Sequence, residues 1–194
     1  MRLILASKSP RRKLMLEQLG LDFEVIVSNT DETMIDGERP KDLVKRLSRL
    51  KAEAVAKGCP DSVVIGSDAV VYYNGRVIGK PRGSTDEEKI EDARRTLREL
   101  SGKTHQVYSG VCVMNTRTGQ VLTDYGVTNI RFRELSEKDV ERAVANPLIL
   151  GGAGSYVTDS WVRVFDSIEG SHTVVAGTPM EKLIPMLREA GVDV

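Results

Sequence analysis

Leu3-Ile4-Leu5-Ala6-Ser7-Lys8-Ser9-Pro10-Arg11-Arg12-Lys13 opens with an apolar run that leads straight into a helix start. The apolar residues predict a short buried strand. Ser9 suits the N-cap and Pro10 the first helical position. Arg11, Arg12 and Lys13 then fill the first turn with cations. A helix N-terminus already carries about half a positive charge, so stability alone favours Asp or Glu there. Cations stacked on unpaired amides suit a docked anion, with polyphosphate as the natural occupant. A solvated basic helix end is the plain alternative. A strand running directly into a helix is also the first step of an α/β chain.

Working outward, the alternation continues. Residues 22–28 read as a second strand, followed by the polar segment Asn29-Thr30-Asp31-Glu32-Thr33. A helix is predicted from Pro40 to about Lys57, with Leu43, Leu47, Leu50 and Ala54 as its apolar stripe and Gly58 past its end. Residues 62–73 form a long apolar strand, and Asn74-Gly75 turns it back into 76–78. Thr85 and Glu88 have capping-box spacing for a helix to Leu100, with Ile90, Ala93, Leu97 and Leu100 inward. Two strands follow, 104–114 and 120–132. Ser136 and Asp139 open a helix that stops at Asn146-Pro147. Strands are expected near 161–166 and 172–176. Thr178-Pro179 starts the last helix, which Pro185 should kink or break. Early alternation followed by long hairpins predicts an α/β protein with a large mixed sheet and flanking helices.

Composition narrows the function. At 194 residues the chain is one large domain or two small lobes. Its formal net charge is zero, whereas a protein that lives on nucleic-acid backbones is basic, so any positive field is local. Two cysteines, Cys59 and Cys112, define no disulfide framework, and two histidines build no typical zinc site. No signal peptide, transmembrane run or lipidation motif is present, which predicts a reducing cytoplasm and no membrane partner. A metal, if used, is a hard cation held by carboxylates.

Asp68 is the sharpest chemical signal. It lies inside Val63-Val64-Ile65-Gly66-Ser67-Asp68-Ala69-Val70-Val71, where an ionised carboxylate is costly unless paired, protonated or metal-bound. An Asp bonded to backbone amides at a bulge beside Gly66 is the alternative. Lys80 follows the hairpin that begins near Asp68, so it can reach that neighbourhood as a point charge on phosphate; otherwise it is a solvated loop lysine. Lys51 borders the apolar stripe of its helix, the ordinary place for a snorkelling lysine. Asp31 or Glu32, paired with Asp68 in space, offers two carboxylates for Mg²⁺. Gly102-Lys103-Thr104 mimics the end of a P-loop, but Leu97 replaces the first glycine and a helix precedes it. Gly151-Gly152-Ala153-Gly154 lacks dinucleotide-binding spacing. His105 and His172, in strand-like segments, read as packed or surface imidazoles.

Ser7-Lys8-Ser9-Pro10-Arg11-Arg12, Asp31-Glu32, Lys51-Ala52, Gly66-Ser67-Asp68, Gly79-Lys80-Pro81 and Leu100-Ser101-Gly102-Lys103-Thr104-His105 together resemble the Maf family of nucleoside triphosphate pyrophosphatases. Ala176-Gly177-Thr178-Pro179 looks like the family's closing Gly-Leu-Pro segment. The resemblance covers nearly the whole chain and implies one domain over 1–194. It implies a fold similar to the inosine triphosphate pyrophosphatases, a long twisted mixed sheet with two lobes around a deep cleft. It also implies hydrolysis of a nucleoside triphosphate to the monophosphate and pyrophosphate with Mg²⁺ or Mn²⁺. By position, Ser7, Arg11 and Arg12 would hold the phosphates, and Lys51 and Lys80 would neutralise developing charge. Glu32 and Asp68 would be the metal-side carboxylates, with Asp68 the base for water. A homodimer and a house-cleaning role are further implications.

The chain departs from the family pattern in places that bear on the base. The subgroup acting on dTTP and UTP has Ala-Asp-Thr where this chain has Ser67-Asp68-Ala69, and a Gln where this chain has Asp159. An ionised Asp only accepts hydrogen bonds, so a base that donates from an amino group suits it. The Ser-Asp pairing looks more like the subgroup acting on 7-methyl-GTP. Both substrate classes stay open at this point. The alternative function is a regulatory protein of septum formation that binds nucleotides or nucleic acid without turnover. Aromatic residues at 5% provide no stacking platform for single strands.

Overall fold

A computed structural model describes residues 1–156 and 164–194. The chain divides into two compact units. The first comprises Met1–Ala69, Tyr108–Gly126 and Ala176–Val194, the second Val70–Val107 and Val127–Val175. Among the described residues, seven strands form one mixed sheet: β1 (Arg2–Leu5), β2 (Glu24–Val25), β3 (Ser62–Tyr73), β4 (Arg76–Ile78), β5 (Thr104–Asn115), β6 (Gln120–Phe132) and β7 (Phe165–Glu169). Hydrogen bonding orders them β2-β1-β3-β5-β6-β7, with β4 on β3. The helices are α1 (Pro10–Glu17), α2 (Pro40–Ala56), α3 (Asp86–Leu100), α4 (Glu137–Val144), α5 (His172–Ala176) and α6 (Met180–Glu189). No helix among the described residues is long and apolar enough to cross a membrane.

In the first unit, β1 pairs in parallel with β2 and β3, with Leu5 opposite Ile65. Side chains alternate between faces with period two. Leu3, Leu5, Val63, Ile65, Val111 and Val113 pack with Leu16 of α1 and with Leu183 and Leu187 of α6. Ile4, Ala6, Val64 and Cys112 pack with Ala52 and Val55 of α2. Covered on both faces, these strands read as continuous apolar runs. Helix α2 lies unusually close to the sheet. A Cβ on Gly66 would sit 2.0 Å from the Ser48 carbonyl oxygen, and one on Gly110 would sit 2.2 Å from that of Val44. The buried face of α2 is therefore Leu43, Val44, Leu47, Ser48, Lys51, Ala52 and Val55. Ala54, expected inward, is exposed, and Leu50 is only half-buried. Hydrophobicity alone could not show that glycines on the sheet favour Ser48 and Ala52 on the facing helix.

In the second unit, α3 and α4 cover the sheet with Ala93, Leu97, Leu100, Val140 and Val144, against Val107, Ile130 and Phe132. Both expected capping boxes are present, Thr85 with Glu88 and Ser136 with Asp139. Asn74 and Gly75 both take positive φ, 48° and 77°, as a two-residue hairpin requires. Buried His105 stacks edge-on to Phe132 and shares a 3.0 Å hydrogen bond with the Tyr156 hydroxyl through Nε2. Among the described residues its Nδ1 has no hydrogen-bond partner. Burial pushes the imidazole down to about 4.

Some expected elements differ. The second strand shrinks to Glu24–Val25; among the described residues it is an edge paired with β1, which ends at Leu5. Residues 172–176 are helical, with Val174 and Val175 buried; β-branched composition was overridden by packing. Of the strand expected near 161–166, residues 161–163 lie outside the described residues; the described part continues as Phe165–Glu169, antiparallel to β6. Pro185 does not break α6. Pro185 and Glu181, one turn before it, both lie on the exposed face of the helix, so the amide that proline lacks is missing from the solvent side and not from the core.

Gly66→Ala should destabilise the protein by about 3 kcal/mol, the upper end for overpacking, because backbone and not a flexible side chain blocks the methyl. Urea denaturation measures it, and a loss below about 1 kcal/mol would show that α2 lifts away freely. His105 is held neutral, so the unfolded state binds its proton first as pH falls. Stability should be full above about 6.5 and fall by about 3 kcal/mol as pH drops to about 4. A wild-type pH profile that matches that of His105→Phe over this window would reject this origin.

Candidate active site

The parallel register of β1 and β3 builds the site. With Leu5 opposite Ile65, the residues beyond β1 run beside Ser67 and Asp68. Ala6 continues the ladder by donating its amide to the Ile65 carbonyl at 2.8 Å. Ser7 follows, then α1. Ligand sites of open α/β sheets lie beyond the carboxyl ends of such strands.

Asp68 is buried, and its counter-ion comes from α2. Lys51 Nζ donates to Asp68 Oδ1 at 2.5 Å and lies 3.1 Å from Glu32 Oε1. Lys51 and Asp68 are each 6% exposed, so neither charge has much access to water. Lys51 is thus no snorkelling edge lysine. The close approach of α2 at Gly66 is what brings it here. Glu32 is the more open partner, with a side chain 45% exposed. Its loop is held from α2 by Arg46, which donates to both oxygens of Glu38 and to the Thr33 carbonyl. Asp31, the other candidate, accepts from the amide and hydroxyl of Thr33 and closes a turn. Arg46 was not singled out in the sequence; its role is visible only once the loop is folded.

The three cations of α1 have separate fates. Lys13 points outward and pairs with Glu17 at 3.4 Å. Arg11 is half-buried. Arg12 turns inward, and its neighbours include Asp68 and Glu32, which attract it, and Arg11, which repels it. Burial lowers its pKa from the ordinary value, opposed by Asp68. Arg12 Nη1 donates to Ser67 O at 2.9 Å and Ser7 Oγ at 3.2 Å; Nε donates to Gly177 O at 3.1 Å. Ser9 sits at the N-cap position, but its side chain makes no capping bond; its amide donates to Ser7 Oγ at 3.2 Å. No acidic residue occupies the first turn. Ser7 Oγ accepts in both of these contacts, so its own proton is left to donate. A hydroxyl donor beside open helix amides and arginine is suited to a phosphate oxygen.

Glu32, Lys51, Asp68, Ser7, Arg11 and Arg12 all belong to the first unit. Lys80 belongs to the second, exposed two residues beyond the end of β4. Asp159 lies outside the described residues. Among the described residues, no cluster of three or more His, Cys, Asp or Glu side chains forms a metal site. The donor set is two carboxylates sharing one ammonium, Glu32 and Asp68 on Lys51. Two carboxylates completed by substrate phosphates are a normal Mg²⁺ environment, so these residues fit Mg²⁺ or Mn²⁺.

Breaking the buried pair gives a test of this geometry. Lys51→Met strands the Asp68 carboxylate and should cost about 3–5 kcal/mol of stability. Lys51→Met combined with Asp68→Asn should recover part of that loss in the same denaturation assay. A double variant less stable than Lys51→Met would show that the ion pair does not govern this region.

A family model described as Maf-like protein matches residues 2–190. A dTTP/UTP pyrophosphatase of Pelotomaculum thermopropionicum is 39% identical over 193 residues, 99% of this chain and 98% of that protein. A dTTP/UTP pyrophosphatase of Bacillus cereus (strain AH820) is 38% identical over 194 residues, 100% of this chain and 97% of that protein. Among solved structures, a HAM1 protein from Coxiella burnetii aligns over 94% of this chain and 89% of its own, at 16% identity and a TM-score of 0.45.

Proposed function

The chain belongs to the Maf-like protein family, and from that premise we propose that it is a nucleoside triphosphate pyrophosphatase with a house-cleaning role. It hydrolyses a nucleoside triphosphate to the monophosphate and pyrophosphate. The observation that carries this reading is the buried Asp68–Lys51 pair, with Glu32 on its open side, beside the Ser7 hydroxyl and the cationic start of α1. The full-length relatives named dTTP/UTP pyrophosphatase support dTTP and UTP as first substrates.

In this reading Ser7 donates its proton to a phosphate oxygen, and Arg11 supplies positive charge at the open helix end. Arg12 adds its charge to the same field. Water opens the phosphoanhydride bond between the α and β phosphates: its oxygen joins phosphorus, one proton passes to Asp68, and pyrophosphate leaves. Lys51 lies on Asp68 and offsets negative charge as it develops. Glu32 and Asp68 would hold Mg²⁺ or Mn²⁺. That ion would supply charge neutralisation on the phosphates. Lys80, as a further phosphate cation, and Asp159, as a base contact, enter the proposal through the family pattern and not through geometry.

The test is a panel of dTTP, UTP, CTP, GTP and 7-methyl-GTP with Mg²⁺, following pyrophosphate and orthophosphate separately. Pyrophosphate should be the inorganic product, and Asp68→Asn should lower kcat by about 100-fold or more. If Asp159 meets the base, Asp159→Gln raises turnover of UTP relative to GTP. Orthophosphate as the first product, or unchanged turnover by Asp68→Asn, contradicts the reading.

A further inference from the structure

Arg12 makes contacts that phosphate binding does not explain. Its Nε and Nη1 are committed to Gly177 O, Ser67 O and Ser7 Oγ, acceptors from three separate chain segments. None of them is an anion. A guanidinium serving only to clamp phosphate presents its donors outward as a fork. Here three of the five N–H donors are turned into the protein.

The same point is gripped a second time by Ser67. Its fully buried Oγ lies 2.7 Å from Gly177 O, 3.0 Å from Gly110 O and 3.2 Å from Thr178 Oγ1. Gly177 O therefore faces two donors, the Arg12 Nε–H and the Ser67 hydroxyl, one for each lone pair. Gly177 takes a φ of 101°, a conformation L side chains rarely adopt. Arg12, Ser67, Gly177 and Thr178 thus form one polar knot joining the first turn of α1, the middle of β3 and the entrance to α6.

The knot bears on Asp68 through covalent geometry. The Ser67 carbonyl and the Asp68 amide belong to one planar peptide. Holding Ser67 O fixes the plane from which the Asp68 side chain departs. Lys51 orients the carboxylate from the side of α2, and Arg12 orients the backbone beneath it.

We infer that Arg12 is a positioning residue for Asp68, acting through Ser67 O and Gly177 O, and that its fork matters more than its charge. This rests on the proposed pyrophosphatase activity, with Asp68 as the base. Arg12→Lys separates the two properties, because lysine keeps the charge but concentrates its donors on one nitrogen. With the preferred triphosphate and Mg²⁺, Arg12→Lys should lower kcat by about 100-fold, the scale of a misplaced catalytic group, while KM stays within about threefold. Ser67→Ala loosens the same knot with Arg12 intact and should lower kcat by about tenfold, again at unchanged KM. The double variant should be little worse than Arg12→Lys, since both act through Gly177 O.

An Arg12→Lys enzyme with KM raised tenfold and kcat preserved would place Arg12 on the substrate and overturn the inference. So would wild-type kinetics in Arg12→Lys, because charge would then suffice. If Arg12→Lys does not fold, Ser67→Ala decides: an unchanged kcat overturns the role. A wild-type protein that releases no pyrophosphate overturns the activity and the positioning role together. Normal wild-type turnover with any of the preceding patterns overturns the positioning role alone.

Discussion

The close seat of α2 on Gly66 and Gly110 is the constraint on which the candidate site depends. Backbone carbonyls of Ser48 and Val44 occupy the space that side chains on those two strand residues would need. Only glycine permits that approach. Its consequence is electrostatic. Lys51, one turn along from Leu47, reaches the carboxylate of Asp68 two residues beyond Gly66. With α2 lifted by the thickness of a methyl group, Asp68 would be a buried charge without a counter-ion, which a marginally stable domain cannot carry cheaply.

Around that pair, rigidity comes from hydrogen bonds to main chain more than from charge. Arg12 and Ser67 converge on Gly177 O, and Arg46 fastens the loop that carries Glu32. Carbonyl acceptors have fixed positions once the sheet is formed, so these links hold angles as well as distances. Exposed ion pairs elsewhere, such as Arg98 with Glu137, contribute little to stability by comparison. The role proposed for Asp68, one carboxylate set against a scissile phosphoanhydride, would benefit from this kind of frame.

Most of the fold was legible because local signals and tertiary environment agree. The strand at 62–73, the Asn74-Gly75 turn, both capping boxes and the helix to Leu100 lie where spacing and turn chemistry put them. Agreement failed where context outweighs propensity. An edge strand is as long as its neighbour allows, so residues 22–28 pair over only two positions. His172–Ala176 has strand-like composition but buries Val174 and Val175 as a helical turn. Pro185 is tolerated because its face of α6 is wet.

The site divides along the same line. A carboxylate inside an apolar strand, cations on a bare helix start and an acidic loop are statements about residue type and spacing, and the sequence by itself determined them. It also determined the family, through six short motifs in order. Which charge answers Asp68 was decided only by the tertiary structure. Lys51 looked like an edge lysine because hydropathy cannot see the two glycines that draw its helix down. The three adjacent cations of α1 looked equivalent because sequence carries no direction. Helical geometry turns Lys13 to solvent and Arg12 inward, and the long-range carbonyls of Ser67 and Gly177 then capture its donors. Residues far apart in the chain share a hydrogen bond only after the sheet has set their register, and no local pattern encodes that encounter.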